Sequence, residues 1–350
     1  MPLENRGTFR PADVTLLLSD ITGLMEPKPT EEREKLIQGG VHYSEMLPLE
    51  YRPSERYLAE YSRALKGFAR ETANAVVGVS EKIYALKGGE VVLVSLARAG
   101  TPIGILIRRY LRRRYGIDAP HYTISMVRGR GIDKTAMRYI LDRHRIADVQ
   151  FIDGWTGKGA ILRELSAALA EFTGGRDDRK LLAVLADPAN ITDMCGTHED
   201  IPIASSFLNA TVCGLMSRTV IRPGIGEDEF HGAAFFEELR ADDKTYEFIE
   251  RIESHMASSV IDTSGSDEVR EIAEKFGIAD INFVKPGIGE ATRVLLRRLP
   301  DMVLIAEDAE PRYIAHLIQL AEEKHVPVVR YPLRRYRACG IIKALAISDL

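Results

Sequence analysis

Cysteine is scarce, with three residues in 350, Cys195, Cys213 and Cys339. An odd number at wide spacing excludes a disulfide framework and leads us to expect a reduced, cytoplasmic protein. Tryptophan occurs once, at Trp155. No apolar run approaches the ~18 residues that cross a bilayer, so no membrane role is expected. The opening "MPLENRGTFRPADVT" is polar and lacks the apolar core of a secretory leader. A large charge of one sign is also missing. The net value of -4 excludes whole-chain attraction to nucleic acid and leaves only local patches. The remainder, 45% hydrophobic and 28% charged, is ordinary for a soluble globular chain with room for two or three domains.

Three segments are expected. Residues 1–52, with prolines at 2, 11, 27, 29 and 48, read as an irregular extension with one short helix. Residues 53–262 alternate strands and helices. Tyr57, Tyr61, Leu65 and Phe68 are spaced for a helix. Val91 to Leu96 form the unbroken apolar run of a strand covered on both faces. Pro102 suits the first turn of a helix that Gly116 ends. "HYTISMV", "DVQFID" and "KLLAVLAD" read as further strands, with helices over about 133–145 and from Ala160 to Gly174 and Gly175. Strands alternating with helices imply a mainly parallel sheet. A small polar stretch over 255–268 marks a boundary, and residues 269–350 read as a small α/β/α unit of a size that can fold alone.

Ligands in such sheets sit at the carboxyl ends of the strands, where three loops fall together. "GWTGKG" has glycines at 154, 157 and 159, which let backbone amides converge beside a helix N-terminus, and Lys158 adds charge. "ARAG" offers Arg98, and "RGRG" sets Arg128 and Arg130 between glycines like a mobile cationic flap. The arginines at 108, 109 and 112–114 read as a solvated helix face.

These residues resemble the type I phosphoribosyltransferases. The resemblance implies that Arg98, Ala99 and Gly100 form a pyrophosphate loop and that Asp153 holds ribose hydroxyls. It implies that Thr156, Gly157, Lys158 and Gly159 hold a 5'-phosphate, with Gly154 in the same substrate loop and Arg128 and Arg130 in the flap; Trp155 is a candidate to stack on a planar acceptor. The substrate would be phosphoribosyl pyrophosphate bridged by Mg²⁺, and this fold often forms homodimers. The chain departs from the family in three respects: it has a single acid, Asp153, three residues before Thr156, where two adjacent acids are usual; Trp155 stands just before Thr156; and Gly159 replaces a hydroxyl residue.

A rival lies in "DMCGTHED". Cys195 is a nucleophile candidate with His198 or His231 as activating base. Cys195, His198, Cys213 and His231 are also the ligand types zinc favours, but their spacing matches no standard pattern. The segments "GGVHYSEMLPLEYRPS", "FIDGWTGKGAI" and "DMCGTHEDIPIASSFLNATVCGL" resemble a bacterial family labelled cysteine protease StiP, linked to tellurium-resistance and stress gene clusters. That label implies a hydrolase with Cys195 as nucleophile.

The C-terminal text "KPGIGEATRVLLRRL", "MVLIAEDAEP" and "AEEKHVPVVRY" resembles pelota-type RNA-binding domains. The positions matching that family's RNA-contacting turn are Gly287, Gly289, Glu290 and Arg293. In "RYPLRRYRACG", Arg334, Arg335 and Arg337 alternate with tyrosines, a pattern suited to phosphate contact and base stacking. The expectation is an α/β protein: a parallel-sheet phosphoribosyltransferase-like domain joined to a pelota-like RNA-binding domain. A cysteine hydrolase using Cys195 is the alternative, and a non-catalytic RNA adaptor the third reading.

Overall fold

The computed structural model describes residues 6–173, 178–221, 226, 228–256 and 268–344. Six parallel strands form the main sheet, in the spatial order Thr15–Leu16, His121–Ile124, Val92–Leu96, Val149–Ile152, Leu182–Ala186 and Cys195–Thr197. The run at Val92–Leu96 is central and fully buried, as its unbroken apolar text predicts. Alternate side chains feed opposite faces. Leu93 packs with helices Ala69–Lys87 and Gly100–Tyr115, while Val92, Val94 and Leu96 pack with helices Lys134–Leu141 and Ala160–Thr173. This is the mixed α/β architecture expected, with a parallel sheet and a small C-terminal unit.

Local signals account for several boundaries. Ser54 Oγ accepts from Tyr57 N at 3.2 Å and caps the helix Glu55–Gly67. Asp133 caps the helix Lys134–Leu141, which is shorter than the expected 133–145. Gly116 is left-handed at φ 72° and ends the helix that begins at Gly100, ahead of Pro102. The closing glycines 174 and 175 and most of the boundary stretch lie outside the described residues.

Four features differ from expectation. The extension holds its one helix, Thr30–Gln38, but also supplies the edge strand Thr15–Leu16. Between "KLLAVLAD" and Ser205 the text suggests a long loop that leads into a helix near Ser205; instead Cys195–Thr197 pairs with Leu182–Ala186, Val184 opposite Cys195 and Ala186 opposite Thr197. No α-helix starts near Ser205; short 3₁₀ turns cover 204–206 and 210–212, with Cys213 following in irregular chain. On the helix 100–115, Arg112, Arg113 and Arg114 are exposed as expected, whereas Arg108 pairs with Asp118 at 2.8 Å and Arg109 with Asp13 and Glu253 at 2.8 and 2.6 Å.

The C-terminal unit has four strands in the order Val284–Pro286, Ala338–Ile342, Pro300–Ala306 and Val328–Tyr331. Helices Ile288–Arg297 and Pro311–Glu323 connect them. Its apolar core runs without a break into that of the first part. Phe207 stacks on His316 with centroids 3.6 Å apart, and Phe68 meets Tyr313 at 5.1 Å. Among the described residues, no helix is long and apolar enough to cross a membrane.

Candidate functional site

The strand Cys195–Thr197 ends at the carboxyl edge of the main sheet, and the next turn brings His198 back over it. Cys195 Sγ lies 3.4 Å from His198 Nε2. His198 Nδ1 lies 2.8 Å from the carbonyl oxygen of Asp187. A carbonyl only accepts, so Nδ1 carries the proton and Nε2 offers its lone pair to the thiol. The Asp187 carboxylate completes the group. Its Oδ2 accepts from Thr192 N at 2.8 Å, while its buried Oδ1 has no hydrogen-bond partner among the described residues. Lys82 Nζ approaches Sγ to 3.9 Å. Burial pushes the thiol up to about 11, against the pull of Lys82 toward the thiolate, and Cys195 is only 1% exposed. Ligand atoms of Asp187, Cys195 and His198 fall within 4.8 Å of one another, a donor set that suits a zinc-like ion. Cys213 and His231, the other ligand candidates, lie elsewhere: Cys213 faces Arg98 and Arg297, and His231 bonds Ser125 at 2.8 Å.

On its open side His198 lines a groove of about 650 Å³ between the two parts of the chain. Glu199, Asp308 and Glu310 line it with Arg334 and Arg337. Asp200, behind it, ties the parts together, accepting from Ile288 N at 3.2 Å and Arg337 N at 2.8 Å.

The loop 153–159 follows its strand as predicted and leads into the helix at Ala160, Thr156 Oγ1 accepting from Gly159 N at 3.3 Å. Its surroundings differ from a solvent-open cradle. The C-terminal unit sits on it. Tyr336 donates to Gly157 O at 2.8 Å, Lys158 Nζ donates to the carbonyls of Ile281 and Val284, and Arg293 lies 4.3 Å over the Trp155 ring. Burial pushes Asp153 up to about 6.

Several predicted contacts are therefore engaged inside the molecule. Arg98 is not available to an anion, because it is buried in an ion pair with Glu50 at 2.7 Å and also donates to Met216 O. Ala99 and Gly100 are buried beside it, Gly100 so close to Ile152 O that a Cβ would stand 2.3 Å away. The flap is a pinned hairpin, 126–127 against 131–132. His42 and Tyr43 bond the Arg128 backbone, Asn282 takes its guanidinium, and Arg130 pairs with Glu45. The RNA turn is covered as well. Gly287 and Gly289 are buried, and Glu290 pairs with Arg293 at 3.3 Å. Arg334 pairs with Glu271, Arg335 N donates to Glu268, and Arg337 pairs with Glu199.

A family model described as tellurite-like stress resistance cysteine protease StiP matches residues 7–253. The chain belongs to the StiP family. A relative named cysteine protease StiP, from Acinetobacter baylyi, is 33% identical across 97% of this chain and 94% of its own length. A PELOTA RNA binding domain model matches residues 263–344. Over that part the chain is 29% identical to the 13 kDa ribonucleoprotein-associated protein of Kluyveromyces lactis, covering 27% of this chain and 75% of the relative. It is 42% identical to the NHP2-like protein 1 homolog of Drosophila melanogaster over 20% of this chain and 57% of the relative. No solved structure matches.

Against the StiP background, the structure adds residues that reading the chain missed. Asp187 and Lys82 surround the thiol from 8 and 113 positions away along the chain. "LAD" before a turn is too common a text to single out Asp187, and Lys82 is one more lysine on an amphipathic helix.

Proposed function

We propose that this StiP-family chain is a cysteine-dependent hydrolase, with Cys195 as nucleophile and His198 as its base. The observation that carries the reading is the orientation of His198: Nδ1 tied to Asp187 O, Nε2 turned to the thiol at 3.4 Å. His198 would take the thiol proton, and the thiolate would attack the carbonyl carbon of an acyl or peptide bond. The imidazolium would return the proton to the leaving group, and water would release the acyl group. Asp187, through its carbonyl and nearby negative charge, would orient and stabilise the imidazolium. The thiol is shut in at 1% exposure, so turnover requires His198 to swing toward the groove it already lines. The C-terminal unit brings RNA as a partner class.

The phosphoribosyltransferase reading has less to stand on, since Arg98 is committed to Glu50 and the loop offers one acid. The deciding test is labelling with a peptidyl electrophile, read by mass spectrometry. Modification of Cys195 well ahead of Cys213 and Cys339, slowed in His198→Ala and untouched by Asp153→Asn, supports the hydrolase. Equal, slow labelling of all three thiols would sink it.

A further inference from the structure

We propose that the seam between the two parts is a binding site for a small polyphosphorylated anion, gripped by Arg33, Arg218, Lys285 and Arg297 around the loop 153–159. It is separate from the Cys195 chemistry and stands or falls without it. A cavity of about 310 Å³ lies there, at the lower end of the range for small-ligand sites. Eight arginine or lysine side chains line it, against two carboxylates, Asp153 and Glu290. Some are answered: Arg298 forms a two-bond pair with Glu34 at 2.7 and 2.8 Å, and Arg293 pairs with Glu290. Others have only neutral partners, which satisfy hydrogen bonds without cancelling charge. Lys158 donates to two carbonyls, Arg218 to the carbonyls of Tyr43 and Met46, and Arg297 to Asn209.

Arg33 is the sharpest case. It is 2% exposed, lines the cavity, and its Nε has no hydrogen-bond partner among the described residues. The Nε of Arg218 is likewise unpartnered. Glu34 and Glu50 lie near enough to attract Arg33, and Glu50 attracts Arg297, but these few carboxylates are outnumbered. Buried cations incompletely compensated are costly, and a cluster of them adds mutual repulsion. That strain is visible in the groups themselves. Burial first, then neighbouring cations, push Arg33 down to about 10, Arg218 to about 9 and Lys158 to about 8.

The shape of the site narrows the ligand. The charges lie on opposing walls, from the extension (Arg33), the main domain (Lys158, Arg218) and the C-terminal unit (Lys285, Arg297). One anion reaching all of them needs more than one negative group, which suits a di- or triphosphate better than a single sulfate-sized ion. Ile37, Ile161 and Val294 give a small apolar stretch beside Trp155, room for the carbon part of a phosphorylated sugar or nucleoside. The wall of Lys285 and Arg297 exists only with the C-terminal unit docked, so the ligand would also clamp the two parts together.

Inorganic tripolyphosphate, without added metal, is the probe, titrated into the full chain by calorimetry and by fluorescence of Trp155, the sole tryptophan and a wall residue. We expect one saturable site and a raised melting temperature. Arg33→Met and Lys285→Met should each weaken binding about tenfold while leaving the free protein as stable as before or more so. A control, Arg143→Gln on the exposed face, should change neither. Absence of saturable binding up to millimolar tripolyphosphate would overturn the proposal, as would binding indifferent to both cavity variants. Sulfate binding as tightly as tripolyphosphate would also overturn it, marking a site for any single anion.

Discussion

The seam makes Gly289 a position where alanine should do the opposite of what it does in most helices. Gly289 lies in the first turn of the helix Ile288–Arg297. In an exposed helix interior, glycine to alanine gains about 1 kcal/mol from propensity. Here an added Cβ would stand 2.6 Å from Trp155 Cε2 and 2.7 Å from its Nε1, with Cδ2 at 3.1 Å. Those atoms belong to a rigid ring held by Arg293 over its face. The ring must shift or the helix must lift, at the roughly 1–3 kcal/mol typical of overpacking. The result after the propensity gain is a net loss of about 0–2 kcal/mol, about 1 kcal/mol at the middle of the range. Urea denaturation of Gly289→Ala, followed by Trp155 fluorescence and circular dichroism together, measures it. Two probes are needed because a chain of two parts need not unfold in one step. The pair is coupled: with Trp155→Ala in place, Gly289→Ala should turn stabilising, giving an interaction of about 1 kcal/mol or more. A Gly289→Ala protein as stable as the parent, with unchanged tryptophan emission, would refute the close packing of helix on loop.

Three further outcomes follow from the same contacts. Asp200→Ala leaves the buried amides of Ile288 and Arg337 without their acceptor, at about 1–3 kcal/mol. By loosening the seam that covers Gly287 and Glu290, it should tighten binding of a structured RNA measured by fluorescence anisotropy. Asp153 has a folded-state value of about 6 against an ordinary 3.8, so its penalty is absent below pH 3.8 and grows as pH rises through 6. Asp153→Asn should therefore gain stability relative to the parent across that window and hold the gain above it, in denaturation curves from pH 4 to 8. Glu50→Ala strands the buried Arg98 guanidinium and should cost about 3–5 kcal/mol, seen as a lowered urea midpoint. A neutral effect would mean Arg98 finds another partner.

Much of the scaffold is legible along the chain because local physics fixes it. An unbroken apolar run such as Val91 to Leu96 has nowhere to go but a sheet interior, and Gly116 ends its helix in a conformation other residues resist. The loop 153–159 reads as a strand-end loop from the apolar run before it, its glycine spacing and the helix after it, and Cys195 reads as a nucleophile candidate while the text leaves its base open between His198 and His231. The three-residue strand Cys195–Thr197 was not legible. "CGT" carries no apolar alternation, and its pairing comes from the neighbouring strand 182–186.

Charge partners were the least legible of all. Arg98 reads as a ligand-binding cation until Glu50, 48 positions away, is folded against it. Gly289, Glu290 and Arg293 read as an open RNA turn until Trp155 and its loop close over them. The cationic seam has no text at all, because residues 33, 218, 285 and 297 meet only when three segments dock. Backbone preference and hydrophobic period act over a few residues, so the sequence determined strands, helices and loop chemistry. Which charges meet, and which stay uncancelled, depends on distance in space, and only the tertiary structure decided that.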